Sequence, residues 1–311
     1  MLRTIARQFI PPYRVKKPAS KDVAILVLLS PRQTFTADEQ LSLRHLVHYL
    51  GKYDKYLIAP RTSPVRLEGF QFKGFSEKFF GSATAINHLL YYPGFFRAFE
   101  DYRYIMIYHL DSLVFSDQMA YWCNSGLDYI GAPWIRCDDL PWVKQPRVGN
   151  TGFGLMKVES ALKVLYARYR RHPSTYWLDM FTRNSRRVEP VVRWLKKLQR
   201  WFPRARLINR PIEEWEKMRV PSTNRRNCDL FWSDRAVEYW PEYKVASLEQ
   251  GLAFAFEAAP RTCFEMNGGI IPFGCHAWAR YDRKFWEPLL LNGSTSPAAR
   301  HPVNHAAVAT A

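Results

Sequence analysis

One short hydrophobic run constrains the fold more than any other part of this 311-residue chain. Residues Tyr104–Tyr108 are continuously apolar or aromatic, and the chain reaches an acid at Asp111 directly after His109 and Leu110. A run without polar alternation is typical of a strand that is buried on both faces. In open α/β sheets, ligands bind outside the carboxyl ends of the strands. Asp111 is therefore predicted to lie at a ligand-binding edge, and a role as a helix cap or ion-pair partner is the alternative.

Earlier in the chain, the pattern predicts a strand, a helix and a second strand. Asp22–Leu29 (DVAILVLL) is another apolar run. Thr36 and Glu39 match a capping box, in which a threonine at the helix start is followed three residues later by a glutamate. The helix that they open is predicted to end near Leu50, and Tyr56–Ala59 predicts the next strand. This order favours an α/β fold whose first strands are parallel.

Composition excludes several classes of protein. Apolar residues make up 47% and charged residues 23% of the chain, which are globular values. No stretch of 18 apolar residues is present, and residues 1–10 lack the apolar core of a secretory signal, so we expect neither a membrane span nor a cleaved leader. The five cysteines form no CxxC motif, which argues against a disulfide framework or a zinc site and favours a reducing, cytoplasmic setting.

Charge predicts an anionic partner. The formal net charge is +17, which attracts nucleic acid, acidic lipid or a phosphorylated substrate. The chain is also rich in aromatic residues, with 11 Trp, 17 Tyr and 20 Phe. Aromatic rings suit carbohydrate or base stacking as well as core packing, so this excess leaves both interpretations open.

The charge is concentrated in residues 183–210, where ten Lys or Arg residues accompany a single acid, Glu189. On a helical wheel, apolar residues fill one half of this segment and basic residues the other. Such a helix fits the interface of an anionic membrane, and a surface helix with solvated charges is the alternative. The residues predicted to face the membrane are Arg193, Trp194, Lys196, Lys197, Arg200 and Trp201.

The predicted domain organisation follows from these features. Residues 1–20 are basic and contain prolines, so they are expected to form an arm. Residues 21–290 are expected to form one domain, with the basic helix at about 183–210 as an insertion. Residues 291–311 are rich in Ala, Pro, His and Ser and are expected to be a disordered tail.

Three further features are candidates for chemistry. Asp229 and His276 are polar residues in apolar surroundings, and Gly149–Gly154 is a glycine-rich segment that we interpret as a turn. Glycines allow a backbone to approach a ligand closely. The segment is not GxGxxG and does not follow the first strand, which argues against a dinucleotide-binding fold.

Four motifs in this order resemble the DUF5672 family over residues 22–290. They are IYHLDSLVF with LDYIGAPW, VGNTGFGLMK, NCDLFW and PFGCHAW. Members of that family are predicted nucleotide-sugar glycosyltransferases with a GT-A-like fold. The resemblance therefore implies a Rossmann-like mixed sheet flanked by helices, a nucleotide-sugar donor and a glycan acceptor.

The resemblance also implies a donor site at the end of the central strand. His109 and Asp111 occupy the place of a degenerate DxD motif, in which the last acid binds the cation that bridges the donor diphosphate. Asp111 and His276 would then hold a divalent cation, Mn²⁺ or Mg²⁺. His109, Ser30 and Arg32 would complete the surroundings of the nucleotide diphosphate.

For the acceptor side, the resemblance implies an inverting reaction in which Asp229 is the general base. A general base takes the proton of the acceptor hydroxyl as that oxygen attacks the anomeric carbon. Gly149, Asn150, Thr151 and Gly152 would form the platform for the acceptor and the donor sugar.

The expected acceptor is a lipid-linked or cell-surface glycan, reached by a peripheral protein at the inner face of the membrane. Two alternatives remain open at this stage. One is a nucleic-acid-binding protein, although the basic residues lie in one helix and do not interleave with aromatics across a sheet. The other is a catalytically inactive glycan-binding protein, since His109 and Cys228 stand where the family has other residues.

Overall fold

The computed structural model describes residues 10, 12–15, 18–29, 32, 34–172, 194–203, 205, 209 and 227–291. A six-stranded sheet forms the centre of the molecule, and three two-residue strands form a second, smaller sheet. The central strands are β1 (Lys21–Leu28), β2 (Asp54–Pro60), β3 (Gln71–Phe75), β4 (Tyr102–His109), β6 (Tyr129–Trp134) and β7 (Arg147–Lys157). The strands of the small sheet are β5 (Leu113–Val114), β8 (Ala255–Phe256) and β9 (Gly274–Cys275).

Helices flank the central sheet. They are α1 (Ala37–Leu50), α2 (Ala83–Leu90), α3 (Pro93–Arg97), α4 (Met119–Cys123), α5 (Val158–Arg171), α6 (Cys228–Leu230), α7 (Leu248–Phe254), α8 (Pro260–Met266) and α9 (Arg283–Trp286). A π turn (Phe231–Arg235) extends α6, residues 194–201 are helical, and 3₁₀ turns lie at Glu77–Phe79, Ala236–Glu238 and Glu287–Leu289. Among the described residues, no helix is both long and apolar enough to span a bilayer.

The central sheet is mixed, in the order β3-β2-β1-β4-β7-β6. Strands β3, β2, β1 and β4 are parallel, as predicted for the first strands, whereas β7 runs antiparallel to both β4 and β6. The predicted α/β class with a mixed sheet flanked by helices is confirmed. Leu28 pairs with His109 at the ends of β1 and β4, so the carboxyl ends of these two strands meet at one edge.

Helix α1 begins as its sequence predicts. The Thr36 side chain accepts a hydrogen bond from the amide of Glu39 at 3.2 Å, and the Glu39 carboxylate accepts one from the amide of Thr36 at 2.7 Å. These bonds satisfy two amides that the helix itself leaves without partners. His45 fixes the inner face of the helix, because Nδ1 contacts the Val114 carbonyl at 2.9 Å and Nε2 accepts from the Leu291 amide at 3.0 Å.

The interpretation of Gly149–Gly154 as a turn is wrong. These residues lie inside β7, which continues through them to the start of α5. Their pairing with β6 shifts register on either side of Ala132, which pairs with Asn150. Such bulges redirect side chains at a sheet end. The glycines therefore permit close packing within a strand and do not reverse the chain.

Several predicted segments lie wholly or partly outside the described residues. The tail 291–311 is described only at Leu291, and the arm 1–20 only at residues 10, 12–15 and 18–20. Of the basic segment 183–210, the described residues are 194–203, 205 and 209. The domain boundaries thus stay predictions.

Candidate functional site

Asp111 lies in a tight turn at the end of β4, and three backbone or side-chain contacts hold this turn. The Ser112 amide donates to the His109 carbonyl at 3.0 Å, and the Ser112 hydroxyl donates to the Gly152 carbonyl at 3.3 Å. The Trp278 amide donates to the Asp111 carbonyl at 3.1 Å. The side chain of Asp111 is left 55% exposed. The turn therefore presents a carboxylate at the predicted edge of the sheet.

His276 reaches the same edge from the small sheet. It directly follows β9, where its amide donates to the Phe256 carbonyl at 2.9 Å. Its ring lies between two carboxylates, with Nε2 3.3 Å from Oδ1 of Asp111 and Nδ1 3.0 Å from Oε1 of Glu257. The His109 ring packs edge-on against it, with the ring centroids 5.5 Å apart. The structure thus brings His109, Asp111 and His276 together, as the resemblance implied.

These three residues fit a divalent cation. One ligand atom from each of His109, Asp111 and His276 lies within 4.8 Å of the others. Oε2 of Glu257 is one of the buried atoms that have no hydrogen-bond partner among the described residues. Two imidazoles and one carboxylate suit a transition-metal cation better than Mg²⁺, which prefers oxygen ligands. Of the two predicted cations, Mn²⁺ therefore fits this donor set better.

The charges of the cluster depend on one another. Burial alone would lower the pKa of His276, but the carboxylates of Asp111 and Glu257 outweigh it and raise that pKa to about 10. Burial likewise would raise the pKa of Asp111, yet His276 holds it well below its usual range. Burial and the neighbouring His276 lower the pKa of His109 to about 4. At neutral pH a protonated His276 therefore lies between the carboxylates of Asp111 and Glu257, beside a neutral His109.

Glu257 is a site residue that the sequence analysis missed. It is buried at the end of β8, and its Oε1 contacts His276 while also accepting from Nδ2 of Asn150 at 2.6 Å. Asn150 in turn accepts from the Gly152 amide at 2.6 Å. A carboxylate on the second nitrogen of a histidine fixes the orientation of the ring. A single acid in the apolar stretch 252–259 was the signal that could have revealed it.

Two glycines of β7 are required by close contacts at the site. A methyl group on Gly152 would overlap the imidazole of His276, and one on Gly149 would overlap the indole of Trp134. Tyr129 of β6 holds this part of β7 in place. Its hydroxyl donates to the Gly149 carbonyl at 2.5 Å and lies 3.0 Å from the Thr151 hydroxyl. The predicted platform residues thus lie beside the cluster, although they belong to a strand.

Asp229 faces this platform from α6. Its Oδ1 accepts from the Thr151 amide at 3.0 Å, and its own amide donates to the side chain of Asn227, which caps the helix. The buried thiol of Cys228 donates to Oδ1 of Asn87 at 2.9 Å. Burial and the adjacent Asp229 raise the pKa of Cys228, so this thiol stays neutral. The carboxylate of Asp229 also acts to raise the pKa of His109, against the larger effect of burial.

The other predicted site residues are placed differently. Arg32 pairs with Glu39 at 2.8 Å near the start of α1, and its role at the diphosphate stays a prediction. Ser30 and Arg193 lie outside the described residues. The remaining predicted membrane residues are all exposed: Trp194, Lys196, Lys197, Arg200 and Trp201.

A family model described as "Protein of unknown function (DUF5672)" matches residues 69–276, from before β3 to His276. This match covers more than half of the chain and includes Asp111, Asn150, Asp229 and Glu257. The chain belongs to the DUF5672 family. None of the curated proteins matches it significantly.

Solved structures with a similar arrangement include glycosyltransferases, all at low identity. A glycosyltransferase involved in glycosylation of the major capsid of PBCV-1 is 10% identical, with a TM-score of 0.42 over 86% of this chain and 98% of that one. The galactosyltransferase LgtC, solved with donor and acceptor sugar analogues, is 11% identical, with a TM-score of 0.43 over 88% and 98%. The glycosyltransferase GlyE of Streptococcus pneumoniae TIGR4 is 12% identical, with a TM-score of 0.40 over 88% of this chain and 61% of that one. At these scores the likeness does not decide the reaction of this member of the family.

Proposed function

We propose that this DUF5672 protein transfers a sugar from a nucleotide-sugar donor to a hydroxyl group of a glycan. One observation carries the proposal: a cluster that fits a divalent cation and a separate carboxylate, Asp229, meet at the carboxyl edge of the sheet. The residues around β7 connect them, because Thr151 contacts Asp229 while Gly152 packs on His276. Nucleophilic displacement of a diphosphate needs a group that stabilises the leaving diphosphate and a base that takes the proton of the nucleophile. A cation site and a separate carboxylate can fill these two roles.

The donor diphosphate is placed at His109, Asp111 and His276. A divalent cation held there would supply Lewis-acid stabilisation of the negative charge on the leaving diphosphate. The protein's own contribution is to fix the ligands: the turn after β4 holds Asp111, and Glu257 orients the ring of His276. Both arrangements reduce the movement of side chains that donor binding would otherwise require.

The acceptor hydroxyl is placed at Asp229. In a single displacement, the acceptor oxygen forms a bond to the anomeric carbon while the bond from that carbon to the diphosphate breaks. The hydroxyl proton passes to the carboxylate of Asp229, and the configuration of the anomeric carbon is inverted. The Thr151 amide holds this carboxylate in position through its bond to Oδ1.

A panel of nucleotide sugars, assayed with Mn²⁺, with Mg²⁺ and with chelator, tests the proposal. We expect the protein to hydrolyse at least one nucleotide sugar slowly, and faster with Mn²⁺ than with Mg²⁺. Asp111→Ala should weaken nucleoside-diphosphate binding about tenfold or more in calorimetry, because it removes the carboxylate of the cation site. The surface variant Asp22→Ala serves as the control. Binding of no nucleotide sugar under any condition would refute the proposal.

The acceptor is proposed to be a glycan at an anionic membrane surface. Helical residues 194–201 expose Trp194 and Trp201, with exposed fractions of 58% and 80%, beside the exposed Lys196, Lys197 and Arg200. Tryptophan on the apolar side and cations on the polar side suit an interfacial helix, and each cation near such a surface contributes about 1 kcal/mol.

Flotation with vesicles tests the membrane contact. The protein should float with phosphatidylglycerol vesicles and not with phosphatidylcholine vesicles. Replacing Arg193, Lys196, Lys197 and Arg200 by glutamine should abolish flotation. Equal flotation of this variant and the native protein would assign the helix to another role, without affecting the proposed reaction.

A further inference from the structure

The loop between β6 and β7, residues 135–146, carries an exposed tryptophan beside the candidate site. Because β7 is antiparallel to both β4 and β6, strand β6 runs in the same direction as β4. The loop therefore leaves the sheet at the edge where β4 delivers Asp111. Its tryptophan, Trp142, is 52% exposed.

A small hydrophobic cluster fixes this loop to the chain segments that carry the site. Its buried members are Trp134, Leu140, Val143, Ala258, Ala277 and Tyr281, and Leu230 packs against it. Three of these residues are the direct successors of site residues: Leu230 follows Asp229, Ala258 follows Glu257 and Ala277 follows His276. The loop is thus packed on the same backbone that positions the proposed base and the cation site.

Trp142 is the exposed one among the large apolar residues of this loop. Leu140 and Val143 on either side of it are buried, with exposed fractions of 8% and 3%. Its ring contacts Trp134 edge-on at a centroid distance of 5.2 Å, and Trp134 lies against Gly149 of the platform. A large aromatic ring held in place but left half in water is available for a partner.

The surroundings of Trp142 favour a sugar as that partner. The loop and the first residue of β7 carry exposed side chains of both charges: Asp138, Asp139, Lys144 and Arg147. Carboxylates accept hydrogen bonds from hydroxyl groups, and ammonium or guanidinium groups donate to them. An apolar ring on a segment with such groups matches a pyranose, which has apolar C–H faces and a rim of hydroxyls. An apolar protein surface would leave these charges without partners, and an anionic membrane would repel Asp138 and Asp139.

We propose that Trp142 stacks on a pyranose ring of the acceptor glycan and so determines which acceptor reaches Asp229. This proposal deepens the proposed transferase function and rests on it for the role of the bound sugar as acceptor. Stacking on one aromatic ring accounts for roughly a tenfold change in affinity.

Binding to a printed array of bacterial oligosaccharides tests the proposal, with Trp142→Ala, Trp142→Phe and Tyr121→Ala compared with the native protein. Tyr121 is exposed to a similar degree, 48%, and lies on α4. We expect Trp142→Ala to lose about tenfold or more in apparent affinity, Trp142→Phe to retain most of it, and Tyr121→Ala to retain all of it. Circular dichroism and nucleoside-diphosphate binding should be unchanged in all three variants.

The outcomes separate this proposal from the transferase proposal. Loss of glycan binding in Trp142→Ala with intact donor hydrolysis supports both. The same loss in a protein that binds no nucleotide sugar supports the stacking site and refutes the transferase. Equal glycan binding by Trp142→Ala and the native protein, or no glycan binding by the native protein, overturns the stacking site whatever happens to the donor.

Discussion

The two halves of the central sheet contribute to the site in different ways. The parallel half, β3-β2-β1-β4, is built from apolar runs and a capped helix, and it delivers His109 and Asp111 at the end of one strand. The other half, β7 and β6 with the small sheet, delivers Asn150 and Glu257 and supports His276. Its strands are bulged or only two residues long, and polar contacts between distant segments hold it together.

This difference shows that the irregular strands lie in the half that contributes the buried polar residues of the candidate site. In the parallel half, the strands pair in regular register and a capping box begins α1. In the other half, a buried carboxylate, Glu257, satisfies both a histidine and an asparagine. Buried charges of this kind are costly unless they are paired, and they are concentrated at functional sites. Variants in the two halves should therefore separate activity from stability.

The largest expected effect is on catalysis, from Asp229→Asn. Asparagine keeps an oxygen for the Thr151 amide but cannot take a proton from the acceptor. We expect transfer to fall about 10³-fold, with nucleoside-diphosphate binding unchanged, because a general base contributes roughly 10²–10⁴-fold. Transfer rates and calorimetry check this, with Asp234→Asn on the same helical segment as the control. Transfer near the native rate would remove Asp229 from the role of base.

The next largest expected effect is on the pH dependence of stability, and it comes from His45. This residue of α1 contacts Val114 of the small sheet. Burial, the main cause, lowers its pKa to about 4, and the nearby His48 and Arg44 act in the same direction. The unfolded chain takes up this proton near pH 6.5, so the folded state loses stability as the pH falls from 6.5 to 4. The loss attributable to His45 is about 3 kcal/mol.

Urea unfolding at pH 7 and pH 4.5 measures this effect. His45→Gln should have a shallower pH dependence than the native protein, because the group that titrates is gone. His48→Gln, three residues further along α1 and exposed, is the matched control. It removes only a smaller contribution to the pKa of His45 and should keep most of the native pH dependence. Identical pH profiles for His45→Gln and the native protein would contradict the prediction.

Glu257→Gln tests whether the irregular half orients the cation site. Glutamine preserves the shape of the side chain but removes the charge that faces Nδ1 of His276. We expect Mn²⁺ affinity to fall roughly 10–100-fold, as is usual for carboxylates behind a metal-binding histidine. Calorimetric titration with Mn²⁺ measures this, and the exposed Glu265→Gln should have no effect. An unchanged affinity would leave Glu257 with a packing role alone.

The smallest expected effect lies in the regular half. Thr36→Ala removes the side chain that caps α1, which should lower the free energy of unfolding by about 1 kcal/mol. Mn²⁺ affinity should not change, since the cap is local to the helix. Thr36→Ser keeps the hydroxyl and should restore most of the stability in thermal unfolding. A change in Mn²⁺ affinity would mean that the two halves are less independent than the contacts suggest.

The same contrast explains what the sequence could predict. The strand before Asp111, the capping box of α1 and the adjacent strand β2 follow from local patterns, and all were predicted close to their observed ends. Strand β3 does not follow from its sequence, because Gln71–Phe75 mixes glycine, lysine and phenylalanine without alternation. The two-residue strands β5, β8 and β9 are too short to show any periodicity.

Candidate site residues were predictable where a polar residue stood out from apolar neighbours. Asp111, Asp229 and His276 were identified in this way, and four ordered motifs then implied their roles. The structure brings Asp111 and His276 into contact. Glu257 belongs to none of those motifs, and its role depends on contacts with residues 19 and 107 positions away. Gly152 was identified, but its close contact with the ring of His276 was not foreseen. The strand that contains Gly152 was therefore interpreted as a turn.

One oxygen atom has a consequence for how ligands influence one another. Oε1 of Glu257 contacts both His276, at the proposed cation site, and Asn150, on the proposed acceptor platform. A ligand that changes the charge of His276 alters the strength of the bond to Asn150, and a ligand that moves Asn150 alters the basicity of His276. Thermodynamic linkage makes this influence reciprocal. The factor by which a ligand at His276 changes the affinity for a ligand at Asn150 must therefore equal the factor in the opposite direction.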